Sequence, residues 1–349
     1  MISGPPTLMQ LFRLLVTPPN NTGKAVFAAI RVDPYRCFKL GKDAEDRPNL
    51  LIQIDADPDA SPPPIRLQHL HITHNLDCEI HRDREVESGV FTVISCVDAD
   101  AQLEVYFLNI VQALLPTLGS NPTTFEIHQA VDYLVQLFQA LKDPPRKTVQ
   151  GLWAELLVIA SSKDANALVE AWHSMPEELY DFSSAAQKLE VKSASGQMRR
   201  HHFSLAQLRP LPNATLVIAS VIVNRCDTGS TVSDLVAEIE HKLARNKGSI
   251  LRLHKIVALT LGEAWRQATF QSYDREAATN SLAFFDSDDI PTIEAQLPPG
   301  VSDVHFKSDL TGNTPISAER LQRYGGMFSC LCSDARQFTS PSPDYRHPR

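Results

Sequence analysis

At 349 residues, with 43% hydrophobic residues, 21% charged residues and a net charge of −8, the chain is too apolar for a disordered protein and too acidic to be coated in positive potential. It is long enough for two domains with a sizeable core. No run of about 18 apolar residues announces a membrane span, Met1–Val16 lacks a basic start followed by a small-residue cleavage site, and the six cysteines follow no disulfide-framework spacing, so the expectation is a cytoplasmic protein with reduced thiols.

Leu8–Val16 reads as a short helix, broken by Thr17-Pro18-Pro19-Asn20-Asn21. Ala25–Val32, Asn49–Asp55, Ile65–Ile72 and Gly89–Val97 then read as strands between Pro-, Asp- and Gly-rich connections. Cys96, and later Cys226, are expected in core strands. His69, His71, His74, Cys78 and His81 supply enough donors for zinc, but their spacing matches no finger or ribbon, and a polar sheet face explains them without a metal. Leu103–Leu118 carries one apolar stripe. A second helix follows, opened by the capping box Thr123-Thr124-Phe125-Glu126 and striped by Val131, Leu134, Val135, Phe138 and Leu141. Lys142-Asp143-Pro144-Pro145-Arg146 ends it, so residues 1–142 are expected to form a β-rich N-terminal domain closed by two helices.

The next stretch carries chemistry. Gly151–Ile159 reads as a buried helix in which Glu155 is the lone charge, and such a carboxylate needs a cation. Asp164 is placed to cap a helix running to Ser174. Tyr180-Asp181-Phe182 and Lys188–Ser193 can pair as a hairpin, folding Asp181 back toward Glu190. In Leu189-Glu190-Val191-Lys192-Ser193, alternation puts Glu190 and Lys192 on one face. A carboxylate and an ammonium at that spacing on a buried-looking strand call for a salt bridge or a metal site. Glu155 and Asp181 favour the metal: three carboxylates can hold Mg²⁺, with Mn²⁺ as a substitute, and Lys192 can orient a water or offset developing charge during hydrolysis of a phosphodiester.

These motifs resemble the PD-(D/E)xK nuclease superfamily. Gly-Leu-Trp-Ala-Glu-Leu-Leu at 151–157, Asp181-Phe182, Glu190-Val191-Lys192-Ser193 and His202-Phe203-Ser204-Leu205-Ala206-Gln207-Leu208 are similar to PD-(D/E)xK motif proteins of bacterial defence and restriction-like gene clusters. Val301–Phe306 and the β-rich N-terminal region extend the resemblance more weakly, over roughly residues 20–310. Tyr180 stands where the family often has proline. The resemblance implies an α/β (α+β) fold with a restriction-endonuclease-like mixed sheet flanked by helices. It also implies a metal-dependent endonuclease acting on DNA in restriction or anti-phage defence, with RNA as an alternative substrate. Its partners would be proteins of the same defence operon, and it allows a homodimer. Glu155, Asp181 and Glu190 would be the metal ligands and Lys192 the catalytic lysine. Ser204 and Gln207, in an element expected to open a short helix beside the site, and His202 are secondary candidates. The rival class is a catalytically silent subunit that binds nucleic acid or protein.

His201-His202-Phe203 is expected as a strand, and its histidines could touch a phosphate or simply face solvent. Ala214–Val223, continuously apolar and β-branched, is the natural sheet centre. Leu235–Ala244 and Leu251–Leu261 read as helices, and Ser281–Phe285 and Val301–Leu310 as late strands. The nuclease-like domain is thus expected over 147–312, followed by a C-terminal extension, 313–349, with a frayed tail from Ser340. Residues 188–209 carry a net charge of +4 and residues 241–255 a net +5. Lys188, Arg199, Arg200 and Arg209 are therefore candidate nucleic-acid contacts.

Overall fold

The computed structural model describes residues 6–19, 24–53, 62–82, 85–97, 100–173, 178–209, 212–243, 246–294 and 297–331. The expected tail from Ser340, the helix end at Ser174, the strand end at Asp55 and Cys332 lie outside them. The chain divides into two compact units, Met1–Pro145 with Arg245–Arg266, and Arg146–Ala244 with Gln267–Arg349.

In the first unit, helix α1 (Leu8–Leu14) precedes strands β1 (Ala25–Val32), β2 (Tyr35–Lys42), β3 (Pro48–Ile52), β4 (Ile65–Arg66), β5 (Leu70–Arg82) and β6 (Glu85–Cys96). The sheet order is β1-β2-β3-β6-β5-β4, and β1 also pairs in parallel with β5, so the sheet closes on itself and leaves neither partner as a free edge there. Phe27, Ala29, Leu51, Cys78, Ile80, Phe91 and Val93 fill one cluster of its interior. Helices α2 (Ala101–Leu118) and α3 (Thr124–Ala140) follow. The capping box forms as its residue types require, with Thr123 Oγ1 accepting from the Glu126 amide and Glu126 accepting from the Thr123 amide. Ile65–Ile72, expected as one strand, is instead a tight hairpin: Leu67 N–H donates to the Leu70 carbonyl, and Ile65 faces Ile72.

The second unit begins with α4 (Val149–Ala160), capped by the Thr148 hydroxyl on the Gly151 amide, and α5 (Ala165–Ala171), capped by Asp164. Strands β7 (Phe182–Ser184), β8 (Gln187–Ala194), β9 (Arg200–Ser204), β10 (Thr215–Ile222) and β11 (Arg225–Ser230) come next, then α6 (Val232–Lys242). Helix α7 (Lys247–Leu261) returns to the first unit and packs on α2 and α3. The chain continues through α8 (Trp265–Phe270), α9 (Arg275–Ser281), β12 (Ala283–Asp286), β13 (His305–Asp309), α10 (Ala318–Tyr324) and α11 (Gly326–Ser329).

The central sheet is mixed, in the order β12-β10-β8-β7, with β8 parallel to β10 and the outer pairs antiparallel. The apolar run of β10 accordingly lies between two neighbours. Helix α4 packs against β8, and Phe203 of the β9–β13 ribbon, with Leu208 and Leu310 just beyond its strands, joins a cluster with Leu216, Ile218 and Phe285 of the central sheet. These mixed sheets with packed helices make the α/β architecture expected for a PD-(D/E)xK-like chain. Cys96 is buried in β6, whereas Cys226 is only half-buried in β11. Residues 204–208 form a turn closed by Gln207 N–H on the Ser204 carbonyl, not a short helix, although Ser204 and Gln207 bond each other's backbone N–H as a capping box does.

Candidate active site

Local rules bring the acidic residues to the two elements at the centre of the second unit. Helix α4 is buried on nearly every side, so Glu155, at 3% exposure, is held in the interior by its apolar neighbours. The β7–β8 hairpin pairs Phe182 with Leu189 and turns through Ala185, whose φ of 49° is left-handed. Its closure places Asp181 beside β8, where Oδ2 accepts the Val191 N–H at 2.7 Å. Asp181 is 5% exposed and Glu190 4%.

Lys147 neutralises the first pair of carboxylates. Its ammonium lies 2.5 Å from Glu155 Oε1 and also contacts Asp181 Oδ1. The other Glu155 oxygen accepts the Trp172 indole N–H at 2.7 Å. The third carboxylate has its own partners: Glu190 Oε1 takes Lys192 Nζ at 2.8 Å and the Gln207 amide at 2.7 Å. Gln207 Oε1 in turn accepts Lys192 Nζ at 3.2 Å and the Ser204 N–H at 3.1 Å, and the ammonium of Lys192 lies 5.0 Å from the centre of the Phe203 ring. Glu190, Lys192, Ser204 and Gln207 therefore form one hydrogen-bonded set.

Burial, and next the negative charge of Asp181, push Glu155 up to about 8 and Glu190 up to about 7; Lys147 and Lys192, respectively, oppose the shift. The two carboxylates raise Lys147 against its own desolvation, so its ammonium stays charged. A carboxylate with a higher pKa folded than unfolded binds more protons in the folded state. Its effect on stability is thus unfavourable and grows as pH rises from about 4.5 through 7 to 8. The metal-free protein is expected to lose melting temperature between about pH 6 and about pH 8.5, and Glu190→Gln to lose several degrees less. Equal losses in the two proteins would show that Glu190 does not titrate in this way.

Among the described residues, Glu155, His173 and Asp181 present ligand atoms all within 4.8 Å of one another. Two hard oxygen donors and an imidazole, around a position where a cation already bridges the carboxylates, fit a divalent metal ion. The remaining candidates lie apart from this group. His202 is exposed on β9, while its neighbour His201 is buried with Nε2 against Ser220 Oγ at 2.7 Å. Arg199 is used structurally: its guanidinium donates to the Ser220 carbonyl and hydroxyl and to the Ser281 carbonyl. Arg200 pairs with Asp309, Arg209 reaches the Ile293 carbonyl, and Lys188 reaches the Ala185 carbonyl from an exposed position.

Residues 10–311 match the family described as "Putative PD-(D/E)XK family member, (DUF4420)". The chain belongs to that family. Comparison with curated proteins and with solved structures gave no match. The matched range includes Asp181, with Tyr180 before it, and Glu190-x-Lys192, the residues on which the sequence resembles the PD-(D/E)xK motifs. Lys147, Trp172 and His173 were not singled out from sequence as site residues. Lys147 had one signal, its position just before the cap of the helix that buries a lone glutamate; the other two had none, because only the fold brings them near.

Proposed function

We propose that this PD-(D/E)XK protein is a metal-dependent endonuclease that hydrolyses DNA phosphodiester bonds, in restriction or anti-phage defence within the cytoplasm. The observation that carries this reading is the burial of Glu155, Asp181 and Glu190, with Glu155 and Asp181 in one ligand group, Asp181 bonded to the Val191 N–H next to Glu190, and Lys192 held between Glu190 and Gln207. Glu155, Asp181 and Glu190 would hold Mg²⁺, or Mn²⁺ in its place. When bound, the ion would supply Lewis-acid polarisation of the phosphate and a bound water of lowered pKa. Lys192 would orient the attacking water and offset the charge gathering on the phosphate oxygens as water adds and the P–O ester bond breaks. Gln207 would fix both Lys192 and Glu190, with Ser204 holding Gln207 in turn. The first unit would recognise DNA or a protein encoded in the same operon.

A second reading, a catalytically silent binding subunit, is favoured by Lys147, whose ammonium bridges Glu155 and Asp181 and offsets part of their charge. Incubation with supercoiled plasmid, linear DNA and RNA, each with Mg²⁺, Mn²⁺ or EDTA, separates the readings. The expected result is DNA cleavage that requires the metal and is abolished by EDTA. Cleavage of RNA alone would reassign the substrate, and no cleavage under any condition would favour the silent subunit.

The basic side chains divide by the same geometry. Arg199→Gln is expected to cost about 2 kcal/mol of stability through lost charge-assisted bonds, while leaving the salt dependence of DNA binding unchanged. A Lys188→Ala, Arg200→Ala double variant should flatten that dependence. A flattened salt slope in Arg199→Gln, with unchanged melting, would reverse these roles.

A further inference from the structure

We infer that His173 is a metal ligand, so that the ion shared by Glu155 and Asp181 sits in a mixed oxygen and nitrogen site that favours Mn²⁺ over Mg²⁺. This rests on the metal-dependent reading above and makes it more specific.

The imidazole is fixed from two sides. The His173 backbone N–H donates to the Asp181 carbonyl at 2.9 Å, and Nδ1 lies 3.0 Å from the same oxygen. A carbonyl can only accept, so Nδ1 carries the proton and Nε2 is left with the lone pair. A ring N–H spent on a backbone carbonyl is the arrangement that orients metal-ligating histidines and fixes their tautomer. Here the carbonyl belongs to Asp181, itself one of the carboxylate donors, so a single backbone unit sets both groups. The Trp172–Phe182 bridge, with its two rings stacked 6.2 Å apart, holds the strand segments that carry His173 and Asp181 side by side. The neighbouring indole N–H orients Glu155. Each of the three donors thus has its second hydrogen-bonding position filled by a fixed partner.

The donor set decides the selectivity. Mg²⁺ prefers oxygen ligands throughout and keeps its waters, whereas Mn²⁺, although it too takes carboxylates, belongs to the first-row divalent ions that bind mixed oxygen and nitrogen sites. Among the described residues it is the nitrogen of His173 that lies with the Glu155 and Asp181 oxygens in one group, so it adds a nitrogen donor to the proposed carboxylates.

The test uses the full chain without nucleic acid. Mn²⁺ and Mg²⁺ are titrated calorimetrically, and the Mn²⁺ complex is examined by pulsed electron paramagnetic resonance for the nitrogen modulation of a bound imidazole. His173→Asn is the variant of choice, because its amide can keep the bond to the Asp181 carbonyl while removing Nε2. The expected results are nitrogen modulation in the wild type and its loss in His173→Asn. Mn²⁺ binding should also weaken at least about tenfold, against about threefold or less for Mg²⁺. Mn²⁺ bound by the wild type without nitrogen modulation would overturn the assignment of His173 and leave the metal-dependent reading standing. Modulation that survives in His173→Asn would overturn it equally. No Mn²⁺ binding by the wild type would overturn both.

Discussion

Replacing Lys192 with methionine is expected to lower DNA cleavage at least about 100-fold, about 3 kcal/mol of transition-state stabilisation, while metal and DNA binding persist. Methionine keeps an apolar stem against Phe203 and removes only the ammonium. Glu190 retains the Gln207 amide, and its raised pKa lets it take up a proton near neutrality, so the fold has a way to accommodate the loss. Asp181→Asn should differ in kind, losing cleavage and metal affinity together, because it removes a charge from the proposed metal ligands. Cleavage rates, Mn²⁺ titration and melting measured on the same preparations separate the two roles. A Lys192→Met protein that cleaves at the wild-type rate, or one that melts some 3 to 5 kcal/mol less stably, as breaking a buried ion pair would cause, would show that Lys192 is structural.

Lys147→Met is expected to produce the largest change in stability, with the opposite effect on metal affinity. Removing the ammonium leaves Glu155 and Asp181 facing each other inside the protein, a loss of about 3 to 5 kcal/mol without metal. The loss should be greater at about pH 8.5 than at about pH 6, since protonation of Glu155, whose pKa burial pushes up to about 8, relieves it at the lower pH. Lysine and a divalent ion compete for the same oxygens, so the variant should bind Mn²⁺ several-fold more tightly than the wild type, and millimolar Mn²⁺ should restore most of its melting temperature. Unchanged melting would mean that the carboxylates need no counter-charge there. Weaker Mn²⁺ binding would mean that Lys147 supports the ion instead of competing with it.

Much of the site was legible because its signals are local. The isolated Glu155 in an apolar helix, the carboxylate and ammonium two residues apart on β8, and the capping box at Thr123 each depend on residues within a few positions of one another, and periodicity or capping chemistry makes them readable. The Asp181 hairpin was also readable, from two short strand-like runs and the small residues between them. What escaped was long-range or depended on local competition. The outer half of β5 acquires a second partner only from the closure of the first sheet, where β1 meets β5 about 50 residues away, and β2 lies between β1 and β3. Ser204 and Gln207 make the reciprocal bonds of a helix start, yet the chain turns after them and no helix follows.

Sequence alone determined the candidate residues, Glu155, Asp181, Glu190 and Lys192, and the placement of Glu155 on a buried helix and of Glu190 and Lys192 on a paired strand, because residue type and period act within each element. Only the tertiary structure decided how their charges are divided. Glu155 and Asp181 share Lys147, at separations of 8 and 34 residues, while Glu190 belongs with Lys192 and Gln207. His173 and Trp172 reach the carboxylates only because α5 packs beside β7. The physical reason is that the counter-charge of a buried carboxylate is set by whatever lies within a few ångströms of it, and spacing along the chain does not report that distance once the chain has folded.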